Sequence, residues 1–372
     1  MPVDEHRARA ALAEILRRQM EGLRLYHPMP IQEAFHKSAA RERIVRGANR
    51  AGKTLMCALE VAQAVTGQDP LGRFPLKDGI CYVVGKDGKH VGQVMYRKLF
   101  RAGAYQIIRD RQTGLWRAFN QMDPGDWERR ADARPSHPLV PRRFIKDIAW
   151  ENKKESLPKL IHLVNGWEIH FFSSLGKPPQ GSSIDFAWFD EELIDQDWYP
   201  EITARLVDRS GYFLWSATPQ AGTDQLFALH EEAERQAIFD GPKRIEEFVI
   251  RLKDNTHLTA EQKAEFEAKL SEEERQVRIE GEFVSLQARV FSQNTPPSST
   301  NARRFPSPTT GRDSWPWTLA GKFARCFSWL CPRRITESSP TSTTSCTSST
   351  AMPSCSANAW PPNAPARSSR CS

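Results

Sequence analysis

No part of this 372-residue chain strings together the ~18 apolar residues that a membrane-spanning helix needs, so no membrane partner is expected. Met1–Met20 also lacks the apolar core and cleavage site of a signal peptide; it is charged and amphipathic instead. Cysteine is scarce through most of the chain. Of seven, only Cys57 and Cys81 precede residue 326. The other five (Cys326, Cys331, Cys346, Cys355 and Cys371) contain no CxxC pair, and no His accompanies them to complete a zinc set. Free thiols in a reducing cytosol are the expectation. Net charge is missing from the body as well. The formal charge is +7, but Pro296–Ser372 holds nine Lys or Arg against Asp313 and Glu337 alone, which accounts for all of it. Residues 1–295 are formally neutral, so composition shows no basic surface there.

Hydrophobic pattern is present, and it is organised. Residues 4–20 read as an amphipathic helix with Ala11, Leu12, Ile15 and Leu16 on one face, ended by Tyr26-His27-Pro28-Met29-Pro30. From about Arg41 to Ile250, short apolar strands alternate with helices. The clearest strands are Ile44-Val45, Ile80–Val84, Ile169–Phe172, Phe186–Phe189 and Tyr212–Trp215. That alternation predicts an α/β domain with a mostly parallel sheet. Asn165-Gly166 reads as a hairpin turn. Residues 102–158, rich in Arg, Pro and Trp, read as a long insertion with little periodicity. Thr259–Ile279 reads as a charged helix capped at Asn255 or Thr256.

Four segments follow: residues 1–40, an N-terminal helix and an entry segment; 41–255, the α/β core with its 102–158 insertion; 256–291, a helical segment; and 292–372, a low-complexity tail. Of the 77 residues from Pro296 onward, 37 are Ser, Thr or Pro, too few apolar side chains to offset chain entropy, so a disordered tail is expected.

The chemistry begins at Gly47-Ala48-Asn49-Arg50-Ala51-Gly52-Lys53-Thr54, a full G-x-x-x-x-G-K-[ST] match between the strand at Ile44-Val45 and an apolar helix, Leu55–Val65. Gly47, Asn49 and Gly52 belong to a loop whose N–H groups can turn inward around phosphate oxygens, and the helix N-terminus adds partial positive charge. In a P-loop NTPase binding ATP and Mg²⁺, Lys53 reaches the β- and γ-phosphates and the Thr54 hydroxyl is a Mg²⁺ ligand. Arg50 offers an extra cation for the transferred phosphoryl group, or turns outward to pair with a carboxylate.

Ile184–Glu192 is an apolar strand ending in acids, which delivers carboxylates to the sheet edge where ligands bind. Asp190 is the expected Mg²⁺ ligand and Glu191 the general base, with Glu192 as its rival. A third strand, Gly211–Pro219, ends in Ser216 and Thr218, placed for contact with the γ-phosphate. Gln32, about twenty residues before the loop, can read an adenine edge with Phe35 packing nearby, or is a surface Gln beside a core Phe. Arg205 is a weaker candidate sensor, and Arg142, Arg143, Lys146, Lys153 and Lys154 form a basic stretch that is either a solvated face or a set of phosphate contacts.

Together these motifs resemble the large terminase subunit of tailed bacteriophages, over about Tyr26–Val290. The resemblance rests on Pro-x-x-Gln-x-x-Phe-His, Asn-Arg-Ala-Gly-Lys-Thr, Pro179–Glu192, Ser216-Ala217-Thr218-Pro219, and Gly281-Glu282-Phe283 followed by Val290-Phe291. It implies a P-loop fold of the ASCE type, with the catalytic-glutamate strand beside the phosphate-loop strand. It also implies a DNA-packaging ATPase in the host cytoplasm, acting as a homo-oligomeric ring at the procapsid, with double-stranded DNA, a portal protein and the small terminase subunit as partners.

The family continues into a nuclease whose two metals need several carboxylates. Residues 292–372 offer only Asp313 and Glu337, so nuclease activity is expected to be absent. A reading-frame shift near Ser292 accounts for the abrupt change of composition, and a natural disordered linker is the alternative. Translating the encoding DNA in both shifted frames decides between them: no strand-patterned acidic domain in either sinks the shift. Two other functional readings compete. A decayed prophage product would lack turnover, and a helicase would need a second motor domain.

Overall fold

The computed structural model describes residues 5–220 and 224–283, all within one unit, Met1–Ser298. The proposed frame shift, the disordered tail, Val290-Phe291, Asp313 and Glu337 lie outside the described residues.

In chain order the strands are β1 (Glu42–Gly47), β2 (Ile80–Gly85), β3 (Gln106–Arg109), β4 (Trp116–Ala118), β5 (Arg134–Pro135), β6 (Ile145–Asn152), β7 (Leu157–Leu163), β8 (Glu168–Ser173), β9 (Phe186–Asp190), β10 (Tyr212–Ala217) and β11 (Ile245–Ile250). Eight of them form one sheet in the order β11-β1-β10-β9-β2-β8-β7-β6. The six from β11 to β8 run parallel; β7 pairs antiparallel with β8, and β6 pairs antiparallel with β7 in turn. The Asn165-Gly166 turn does join an antiparallel hairpin, β7 to β8.

The central strands are buried on both faces, as a parallel sheet covered by helices requires. Phe186 and Trp188 of β9 enter the core beneath the helix Lys53–Val65. Ala187 and Phe189 enter a second core, under the helices Trp198–Val207 and Asp224–Ala237. The period of two along one strand thus fills two layers.

Several expectations change. The glutamate strand β9 is not beside β1, because β10 pairs in parallel with both and separates them. Residues 102–158 are not one irregular insertion. β3, β4 and β5 make a small antiparallel sheet, and β6 is the outermost strand of the main one. Pattern missed β6 because its register is broken by irregularities after Ile145 and around Trp150. The stretch from Thr259 is two helices, Ala260–Glu267 and Glu272–Arg278, each opened by a capping box: Thr259 with Gln262 and Ser271 with Glu274. Asn255 caps neither; it reaches the phosphate loop instead. The N-terminal helix is Glu5–Arg18, and its apolar face stays outside, with Leu12 57% and Ile15 55% exposed. Among the described residues, no helix is long and apolar enough to cross a membrane.

Candidate active site

Parallel pairing sets three strand ends level. Val45 of β1 faces Ser216 of β10, and Ser216 faces Asp190 of β9. The loops leaving these ends carry Gly47–Thr54, Glu191 and Thr218 to one sheet edge, where open α/β sheets bind ligands.

The phosphate loop turns at Gly52, whose φ of 92° lies in the left-handed region that glycine adopts without strain. The helix Lys53–Val65 starts directly after it, so its free N–H groups face the loop. Lys53 is buried, and its Nζ donates to the carbonyls of Gly47 at 2.9 Å and Ala48 at 2.7 Å, and to Thr218 Oγ1 at 2.9 Å. Burial lowers the Lys53 pKa, against the pull of the Glu191 and Asp190 carboxylates. Thr218 passes its own proton to Asn49 Oδ1 at 3.0 Å. Asn49 is also held through its backbone, whose N–H donates to the Arg278 carbonyl at 3.0 Å. The loop, the end of β10 and the last described helix are therefore one hydrogen-bonded unit.

Asp190 is 1% exposed and takes donors from three elements. Thr54 Oγ1 lies 3.3 and 3.2 Å from its two oxygens, the Ser216 hydroxyl donates to Oδ1, and His90 Nε2 sits 2.8 Å from Oδ2. His90 had no place in the sequence reading. It follows β2 in a short helical turn, Gly88–His90, and only the sheet order brings β2 next to β9. Burial disfavours its imidazolium, but the Asp190 bond and the charges of Asp190, Glu191 and Asp87 outweigh that and raise its pKa.

Glu191 has φ 69°, a left-handed conformation unusual for a side-chain-bearing residue. It is fixed by its own N–H donating to the Ser216 carbonyl at 2.7 Å and by Trp215 Nε1 donating to its carbonyl at 3.0 Å. Its carboxylate sits 3.4 Å from the Thr218 N–H. Burial first, and then the neighbouring Asp190 charge, raise the Glu191 pKa. Glu192 is buried beside it.

Ser216, expected among the nucleotide-binding residues, is instead fully buried. Its oxygen accepts from Trp188 Nε1 at 3.0 Å and its proton goes to Asp190, so it orients that carboxylate. Of the two placements open for Phe35, the structure shows the core one, against Phe248 of β11. Arg205 bonds to Glu201 on its own helix and to the Ser182 carbonyl ahead of β9, at the edge opposite the phosphate loop. Arg50 is exposed with φ 61°, pairs with no carboxylate among the described residues, and lends only its carbonyl to Asn255 Nδ2 at 2.7 Å. Arg143, from the basic stretch, is committed to Glu21; Arg142, Lys146, Lys153 and Lys154 stay exposed.

Beside the loop lies a cavity of ≈ 220 Å³ lined by Gln32, Met29, Tyr26, Gly52, Tyr105 and Phe119, among others. Gln32 is 3% exposed, a buried group and not a surface one. Asp190 and Thr54 offer a carboxylate and a hydroxyl, hard oxygen donors on facing elements, which fits Mg²⁺ with its remaining positions filled by phosphate and water.

Behind the loop, Gly281 has φ 73°, and a Cβ there would lie 2.3 Å from Gly47 Cα. Gly281→Ala should therefore cost ~2–4 kcal/mol, from left-handed strain plus overpacking, read as a lower midpoint in denaturant. A midpoint within error of the unmodified chain would show that this contact does not matter.

Residues 44–295 match the family model described as "Terminase large subunit, T4likevirus-type, N-terminal". No curated protein sequence matches the chain. Among solved structures, the chain is similar to the large terminase ATPase domain of Thermus phage P74-26, at 16% identity and TM-score 0.45, covering 70% of this chain and 95% of that one. It is similar to the large terminase of a thermophilic bacteriophage solved in complex with ATP-gamma-S, at 12% identity and TM-score 0.44, covering 69% of this chain and 53% of that one. The HK97 bacteriophage large terminase gives 14% identity and TM-score 0.44, covering 69% and 51%. The chain thus spans about half the length of the last two proteins.

Proposed function

The chain belongs to the terminase large-subunit family, and from that premise we propose that it is an ATP-hydrolysing motor that drives double-stranded viral DNA into a procapsid. The observation that carries this reading is the meeting of Lys53, Thr54, Asp190, Glu191 and Thr218 at the aligned ends of β1, β9 and β10.

Lys53 holds the β- and γ-phosphates, exchanging its bonds to Gly47, Ala48 and Thr218 for phosphate oxygens. Thr54 and Asp190 hold Mg²⁺, which when bound neutralises charge on those oxygens. Glu191 accepts a proton from the attacking water. Arg50, exposed and unpaired among the described residues, is available to the transferred phosphoryl group. Thr218 is bonded to Lys53 and within reach of Glu191, so it senses whether the γ-phosphate is present. The cavity at Gln32 takes the base. Family membership favours a portal protein and the small terminase subunit as partners and a homo-oligomeric ring as the working form.

The test is DNA-stimulated ATP hydrolysis by the purified full chain, with Glu191→Gln as control. Turnover that DNA raises and the variant lacks supports the motor. A folded chain without turnover refutes it.

A further inference from the structure

The base cavity is lined by a glutamine whose two amide ends are not equally available. Gln32 is the third residue of the helix Pro30–Lys37, and its Oε1 accepts the N–H of Met29 at 2.9 Å. A backbone N–H can only donate, so the atom facing it is the carbonyl oxygen, and the amide orientation is settled. The same oxygen accepts the phenol proton of Tyr26 at 3.0 Å. Both of its lone pairs are then used.

Tyr26 is in turn fixed by a buried charged cluster. Its hydroxyl lies 3.3 Å from His36 Nε2, and His36 Nδ1 donates to Glu60 at 2.6 Å. Glu60 is fully buried and takes Arg43 at 2.8 Å and Arg73 at 2.9 Å. Burial opposes its ionisation, yet Arg43, His36 and Arg73 bring its pKa down to about 2. Gln32 Nε2, by contrast, makes no hydrogen bond to a described residue. It lies 3.0 Å from the point a Gly52 side chain would occupy, on the phosphate-loop side of the cavity.

A glutamine that reads adenine with both ends accepts from the 6-amino group and donates to N7. Guanine offers N7 as well, but an acceptor at position 6. With the carbonyl spent, Gln32 presents donors only, and donors suit either purine. We propose that Tyr26 locks Gln32 so that this pocket recognises purines in general, and the chain binds GTP about as well as ATP. This rests on the proposed nucleotide site and names its substrate class.

The experiment is calorimetric titration of the full chain with ATP, GTP and CTP in Mg²⁺, repeated with Tyr26→Phe. Kd for ATP and GTP should agree within tenfold, with CTP weaker. Removing the phenol proton frees one lone pair, so Tyr26→Phe should raise the preference for ATP over GTP by about fivefold or more, given ~1–3 kcal/mol for a well-made base contact. Should that variant fold poorly, Gln32→Leu serves: it should weaken ATP and GTP by the same factor. ATP bound more than tenfold tighter than GTP by the unmodified chain would overturn this inference and leave the motor standing. So would an unmoved ratio in Tyr26→Phe, or a selective loss of ATP in Gln32→Leu. No binding of any nucleotide would overturn both.

Discussion

Glu191→Gln should lower kcat for ATP hydrolysis by about 10²- to 10⁴-fold while ATP affinity stays within a few-fold, the range for loss of a general base. The amide keeps the shape of the side chain and its contact with the Thr218 N–H but cannot take a proton from water. The raised pKa of Glu191 makes it a better base than an ordinary carboxylate. It also places the acid limb of the kcat profile above the usual Glu range: activity falls as pH drops through the raised pKa, because the base becomes protonated. The sign for stability is opposite. A carboxyl group whose folded pKa is raised holds its proton more tightly in the fold, so its contribution is fully present at low pH and is lost as pH rises through that pKa. Ionisation of Glu191 therefore weakens the fold, and Glu191→Gln should leave the melting temperature unchanged or raise it. Single-turnover hydrolysis, ATP titration and thermal unfolding on one preparation check all three parts. A variant that binds ATP poorly in proportion to its lost turnover would remove Glu191 from the role of base.

Lys53→Ala should weaken ATP binding by about 100-fold, on the order of 3 kcal/mol, since charge-assisted hydrogen bonds contribute ~1.5–3 kcal/mol each. Lys53 is buried at some cost, and burial lowers its pKa. Three oxygens, from Gly47, Ala48 and Thr218, keep it in place. The loss should appear in Kd, unlike that of Glu191→Gln, and the unfolding midpoint should change little, because removing a buried charge relieves desolvation while Thr218 keeps Asn49 as partner. Equilibrium titration with ATP checks this. Affinity equal to that of the unmodified chain would take Lys53 out of the phosphate site.

Much of this site is visible in sequence because each piece is local. The phosphate loop is eight consecutive residues, and Asp190 and Glu191 end one apolar run. What sequence could not supply is set by sheet order. The placement of β10 between β1 and β9 makes Ser216 an inward-facing hydrogen-bond donor to Asp190. His90 sits one hundred residues before Asp190, and only the pairing of β2 with β9 brings them together. Asn255 looked like a cap because it precedes a helix, yet its amide donates to the Arg50 carbonyl in the loop and its Oδ1 accepts the His257 N–H. β6 escaped notice because its bulges break the alternation that marks a strand. Thr259 and Ser271, with a Gln or Glu three residues on, were readable as caps from spacing alone.

The outer strand has a consequence for self-association. Among the described residues, β6 leaves one long edge of the sheet unpaired, and a flat edge of that kind invites a second copy to add strand to strand. Here Ile148 and Trp150 turn inward to the core, while Lys146, Asp147 and Glu151 stand exposed, and register breaks bend the ladder. Charge and irregularity together make the edge a poor template. Copies are thereby discouraged from zipping into open-ended fibres, a mode of aggregation that would compete with any closed assembly at the concentrations where assembly occurs.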